Sequence, residues 1–352
     1  MKFNLTIMEF KNKTLRAAIS MSIAVLLTSS LIVSCSKDAQ VVPQTSDLSA
    51  TASDSTPVAN TTNSLATTYT SSSPISYNGK SNLTISGRSF NGAANLITLT
   101  NCSNIHITQC RFSNATAYAV KLYNCTNVTV DVCYFTNVAF GVYAQQSKVI
   151  KINNNQCLNL KGGGSVFAHF AQLDNVNSGG NQINYNRVEN IPGVAVQPHD
   201  IISLYQSNGL QGDSIQVIGN WIRGGQVALN AAKNNGACGI GLMDVTGSYQ
   251  VCRGNILVNP GYAGIQPVGK GTGLKIDHNT IFSSQTPASL VGLSYQLNGS
   301  GYAGYNKINW TTSNGTKMDL WSAVAQPSGW STNTVKAAIT ASVLPATIIT
   351  MQ

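Results

Sequence analysis

The sequence predicts an all-β solenoid, a single stack of coils, and three observations carry the prediction. Near-identical segments recur at 81–91, 103–114 and 126–137, and their Phe90, Phe112 and Phe135 lie 22 and 23 residues apart. A period in that range marks units that bury their apolar faces only by stacking on neighbours. Charged residues are 9% of the chain and glycines number 31, whereas a helical protein carries far more Glu and Lys. An asparagine also recurs after each later strand, at Asn186, Asn220, Asn255, Asn279 and Asn306. Asn tolerates the left-handed backbone of a tight corner and can hydrogen-bond to its equivalent in the next coil.

The N-terminus reads as a targeting segment. Lys2, Lys11, Lys13 and Arg16 precede a mostly apolar run from Ala17 to Val33, the order of a secretory signal. The sequence Leu31-Ile-Val-Ser-Cys35 resembles the lipobox of bacterial lipoproteins. That resemblance implies cleavage before Cys35 and acylation of Cys35. Residues 1–34 are then a signal peptide and the protein is exported and lipid-anchored to the cell envelope. Residues 35–73 are rich in Ser and Thr with almost no aromatics, and read as a disordered tether.

Residues 74–320 carry the coils. The strand-and-turn unit repeats from Val149, Gln182, Ser214, Tyr249, Gly273 and Tyr302, with alternating apolar residues facing the core. This pattern resembles the right-handed parallel β-helix proteins of the pectate-lyase-like superfamily. The resemblance spans roughly residues 80–315 and implies a single right-handed parallel β-helix of about nine coils. Residues 321–352 are expected to cap it, with a short helix over 335–344 and a closing strand at 348–350.

Seven cysteines fall within the coils. Cys102 and Cys125 are 23 apart, as are Cys110 and Cys133, so each pair occupies equivalent places in adjacent coils. They read as stacked, reduced, buried side chains, with disulfides across the coils also within geometric reach.

The turn asparagines advance unevenly. The steps are 31 from Asn155 to Asn186, 34 to Asn220 and 35 to Asn255, then 24 and 27. Insertions in solenoids become loops on the binding face, so three adjacent coils are expected to wall a cleft. The inserted stretches hold Lys161, followed by Gly162, Gly163 and Gly164, then His169, Asp174, His199, Asp200, Arg223 and Lys233. Tyr205, Gln206 and Asp244 lie in the strands that follow, with Tyr262 further on.

Lyases of the resembled superfamily abstract a proton beside a uronate carboxylate, using a basic residue and a cation or Ca²⁺. On that resemblance His199, Asp200, Arg223 and Lys233 are the candidate catalytic residues. Lys161, His169, Tyr205, Gln206, Asp244 and Tyr262 are candidates for substrate contact. The alternative reading of His199 and Asp200 is structural, with Asp200 pinning a loop through backbone amides. Exposed aromatics such as Phe167, Phe170, Tyr205 and Tyr262 would mark glycan binding. His106 and the pair Asp277 and His278 read as ordinary repeat positions.

The carboxylate set of the related galacturonases is missing, although coiling could bring Asp200 near Asp244. No cysteine or histidine spacing suggests a metal, and no acidic cluster suggests a strong Ca²⁺ site. Removing the leader lowers the formal charge from +9 to +6, which favours anionic partners. No basic run interleaved with aromatics points to nucleic acid. The expected partner is a polysaccharide, bound by a monomer that cleaves it or serves as a non-catalytic surface scaffold.

Overall fold

The computed structural model describes residues 68–162, 168–191, 194, 198–225 and 238–351, all within one unit, Ser55–Gln352. Cys35, Gly163, Gly164, Phe167 and Lys233 lie outside the described residues, as do the leader and nearly all of the tether.

Each coil contributes one strand to each of three parallel stacks. Sheet I begins at Thr70–Ser71 and Arg88–Asn91 and runs to Lys307–Thr311, ten short strands in all. That is about nine coil-to-coil steps. Sheet II includes Asn95–Thr100, Tyr118–Tyr123, Phe140–Gln145, Ala171–Asp174, Ile202–Tyr205 and Cys238–Asp244. Sheet III includes Ser81–Ser86, Ser103–Thr108, Thr126–Asp131, Lys148–Asn153, Gln182–Asn184 and Ile215–Ile218. Sheets II and III merge in the last coils, where Ala263–Asp277 and Val291–Gly304 run round the corner unbroken.

Register puts like on like. Phe90, Phe112 and Phe135 are consecutive partners in sheet I. Their rings stack at 5.3 and 4.9 Å. Ile97, Val120, Val142, Ala171, Ile202 and Ile240 line up inside sheet II. Ile85, Ile107, Val130, Ile152, Ile183 and Val217 do the same inside sheet III. A one-residue slip would turn every one of these side chains outward, so the alternation fixes the register.

The asparagine ladder is present. Asn220 Oδ1 accepts from both the backbone and side-chain N–H of Asn186, each at 3.0 Å. Asn220 Nδ2 donates to Ile183 O at 2.8 Å and to Asn255 Oδ1 at 2.9 Å. The run extends from Asn155 to Asn333. The left-handed corner residue is not the ladder asparagine, contrary to the turn argument. It is the residue before it, such as Tyr185, His278 or Tyr305, at φ 58°, 56° and 55°. That residue turns the chain so that the asparagine side chain points inward, where its carboxamide replaces a backbone partner.

All seven coil cysteines are buried and unbridged. Cys110 and Cys133 continue the ladder towards the N-terminus. The Cys133 N–H donates to Asn155 Oδ1 at 3.0 Å, and the two thiols reach Ile85 O and Ile107 O.

The C-terminal segment departs from expectation. Instead of a helix over 335–344 there is one 3-10 turn, Ala341–Val343. The preceding N–H groups are taken by the last coil instead, Thr334 and Ala337 donating to Asn306 O and Ile308 O. This stretch covers the last coil. The chain then runs back along the flank of sheet I, and 348–350 is not a strand. Arg223 holds Pro345 O and Ala346 O, Arg187 holds Ile348 O, and Gln156 Oε1 accepts from the Thr350 and Met351 N–H groups. Ile348, Ile349 and Met351 bury themselves against Val132, Tyr134, Ile256 and Val258.

Candidate functional site

The outer face of sheet II collects polar side chains. The row Lys121, Tyr143, Gln172, Ser203, Gly241 runs across five coils. Beside it runs Tyr123, Gln145, Asp174, Tyr205, Asp244. A bulge in the last step brings Asp244 opposite Tyr205, and bulges commonly re-aim side chains in this way. Asp174 accepts from the Tyr143 hydroxyl at 2.5 Å and from Gln145 at 3.2 Å. Tyr118 and Tyr143 stack at 5.2 Å, with Lys121 Nζ 5.2 Å from the Tyr118 ring.

The three long coil steps place most of their extra residues between the end of a sheet I strand and the next strand of sheet II. These stretches follow Leu158, Glu189 and Arg223. Two of them deliver histidine to the edge of sheet II. His169 is 2% exposed, and its Nδ1 lies 3.1 Å from Asp200 O. Its ring meets Phe140 edge-on at 5.2 Å and His199 at 5.7 Å. Asp200 is 4% exposed. Its Oδ1 accepts from the Cys238 N–H at 2.9 Å, and its Oδ2 lies 3.4 Å from His199 Nδ1. A Cβ on Gly241 would sit 3.0 Å from Asp200 Oδ2, so the glycine leaves that oxygen uncovered.

Burial pushes Asp200 upward, but the hydrogen bond and charge of His199, then His169 and the Cys238 amide, bring it below the usual carboxylate range. Burial, then the charge of Asp200, raise Asp244 above that range. Burial lowers His169 to about 4 against the opposing charge of Asp200. Two neighbouring carboxyls are thus driven apart, the pattern of an acid and base pair.

The candidates therefore divide. His169, His199 and Asp200 converge, Asp244 feels the charges of Asp200 and His199, and Tyr205 is the register partner of Asp244. Asp200 also makes the structural bond to a backbone amide. Tyr262 packs beside Cys238, Ala263 and Val291 at the same edge. Gln206 sits at the corner beyond, accepting from Asn175 at 3.1 Å. Lys161 is exposed at the start of the first long connection. Arg223 is not on this face. It lies on sheet I, paired with Glu189 at 2.7 Å and bound to the tail. Phe170 is fully buried against Phe135 and offers no exposed aromatic face. Tyr118 and Tyr143 escaped the sequence reading, although alternation in Phe140-Gly-Val-Tyr143 turns Tyr143 outward.

Among the described residues, His169, His199 and Asp200 are the group whose ligand atoms converge as metal donors would, all within 4.8 Å of one another.

Residues 73–230 match a family model described as a right handed beta helix region. With its three parallel stacks, the chain is a right-handed parallel β-helix repeat protein. No curated protein matches it, and no solved structure does.

Proposed function

We propose that this β-helix binds a polysaccharide along the outer face of sheet II and hydrolyses a glycosidic bond there. The observation carrying the reading is the cluster of His169, His199 and Asp200, within 4.8 Å of one another, beside the outer face of sheet II that carries Tyr205 and Asp244, with Asp200 held below and Asp244 above the usual carboxylate range. Asp244, whose carboxyl is raised above the usual carboxylate range by burial and the charge of Asp200, gives its proton to the leaving oxygen as the bond to the anomeric carbon breaks. Water attacks that carbon, and the cluster of His169, His199 and Asp200 takes the proton water loses. Tyr118, Tyr143 and Tyr205 offer ring faces for sugars on either side.

Hydrolysis is favoured over elimination from a uronate. Among the described residues, Asp174, Asp200 and Asp244 make this face acidic, with Lys121 at one end, and Arg223 is engaged elsewhere. A neutral or basic glycan suits that field better than a polyuronate. Acylation at Cys35 and a tether over 36–73 would hold the domain at the envelope surface, as the lipobox resemblance suggests.

The test is a panel of neutral, amino-sugar and uronic-acid polysaccharides incubated with the purified protein. New reducing ends should appear, without the ultraviolet absorbance of an unsaturated uronate, and should vanish in Asp244→Asn. Glycan retention without new ends would leave a binding protein. An unsaturated product would replace hydrolysis with elimination.

A further inference from the structure

We propose that His169, His199 and Asp200 form a site for a divalent transition-metal ion, with zinc the best fit. The proposal goes beyond glycan cleavage and does not depend on it.

One ligand atom from each residue lies within 4.8 Å of the other two. More telling is what the remaining polar atoms do. A ligating histidine commonly donates its other N–H to a carbonyl or carboxylate, and a ligating carboxylate is itself hydrogen-bonded. Asp200 O can only accept, so the proton on His169 sits at Nδ1, 3.1 Å away. Nε2 is then left with its lone pair. Asp200 Oδ1 is held by the Cys238 N–H at 2.9 Å, leaving Oδ2 to point elsewhere. Both ligands are oriented from behind in the way metal sites require.

The third relationship is a distance. His199 Nδ1 and Asp200 Oδ2 are 3.4 Å apart. Two ligands each about 2.0–2.1 Å from a tetrahedral ion stand roughly 3.3–3.4 Å apart. Gly241 keeps the space before Oδ2 clear. His199 retains partial exposure, with 20% of its side chain accessible, so an ion here would be open to solvent.

Three protein ligands and an open position are the pattern of catalytic rather than structural zinc. Two imidazole nitrogens and one carboxylate oxygen select zinc or a neighbouring transition ion over calcium, which takes oxygen donors. Water on such an ion would supply the base side of the proposed cleavage.

The test uses the full chain, stripped with a chelator and titrated with zinc chloride by calorimetry in excess Ca²⁺ and Mg²⁺. Bound metal is counted after dialysis, and Co²⁺ is used as a spectroscopic probe. One zinc per chain is expected, with affinity falling at least tenfold in His199→Gln and in His169→Gln. Cys238→Ser should bind as the parent does, and the cobalt spectrum should lack a thiolate charge-transfer band. Failure to retain zinc would overturn the proposal. So would unchanged affinity in His199→Gln, or a thiolate band that Cys238→Ser abolishes. His199 is partly exposed, so its variant keeps the test decisive if His169→Gln does not fold. The readout is metal alone, so it stands apart from the polysaccharide assay.

Discussion

Arg223 and Glu189 stand 2.7 Å apart on neighbouring strands of sheet I, and the same guanidinium grips the carbonyls of Pro345 and Ala346. One side chain thus ties two coils to the returning C-terminal segment. Arg223→Ala should lower stability by about 1.5–3 kcal/mol, the range for hydrogen bonds to charged groups, and leave any glycan cleavage unchanged. Urea denaturation and the reducing-end assay together check this. Loss of activity with stability intact would return Arg223 to the catalytic role the superfamily resemblance assigned it.

The tail itself should be stabilising. Ile348, Ile349 and Met351 are buried at 0%, 2% and 7% exposure, each worth up to about 1.5–3 kcal/mol before ordering entropy is subtracted. A chain ending at Leu344 should therefore melt several degrees lower. It should also bind a hydrophobic dye at the uncovered flank, where Ile256 and Val258 would face solvent. Unchanged melting would mean that the segment is a passenger.

That flank shows where the sequence could be read and where it could not. The coils were legible because stacking forces equivalent residues together, so Phe90, Phe112 and Phe135 announce themselves as a column. The sites of the extra residues were legible from uneven asparagine spacing. The tail was not. Its contacts join residues such as Gln156 and Thr350, 194 positions apart, and no local period encodes that. One signal was present: Ile256, Leu257 and Val258 are apolar in succession, which a strand with a wet outer face would not be. In the groove, Asp200 and Asp244 were nameable as acids. The bulge that aims Asp244 was not, because it arises from pairing between coils.

The ladder predicts a graded series. Asn220→Ala strips the partners of Asn186, Asn255 and Ile183 inside the core. Unpaired buried groups cost about 1–3 kcal/mol each, so the loss should reach roughly 3–5 kcal/mol. Asn333→Ala, at the half-exposed end of the same ladder, should lose clearly less. Equal losses at both sites would mean that the ladder does not act through burial.

Stability should fall as pH drops from about 6.5 towards 4. His169 titrates at about 4 in the folded chain against 6.5 unfolded. Between those values the unfolded chain holds a proton the native ring does not, so stability rises with pH across that window. The shift corresponds to roughly 3 kcal/mol at most. Asp200, depressed, stabilises until still lower pH, and Asp244, raised, offsets part of the loss as it protonates. His169→Gln should flatten the profile between pH 6.5 and 4, read from denaturation midpoints.

Asp244 should separate stability from activity. Its folded pKa is raised by burial and by Asp200. Between the ordinary carboxylate value and that raised value the native state binds more protons than the unfolded chain. Its contribution therefore falls as pH rises, and above the raised value it is a fixed destabilisation. Asp244→Asn removes the buried charge and its repulsion of Asp200, so the denaturation midpoint should rise at pH values above the raised one. The same change removes the proton donor, and cleavage should fall by about 10²-fold or more. Asp244→Glu should restore part of the activity. A variant that gains stability and keeps full activity would remove Asp244 from the chemistry, and the groove would then be a binding surface.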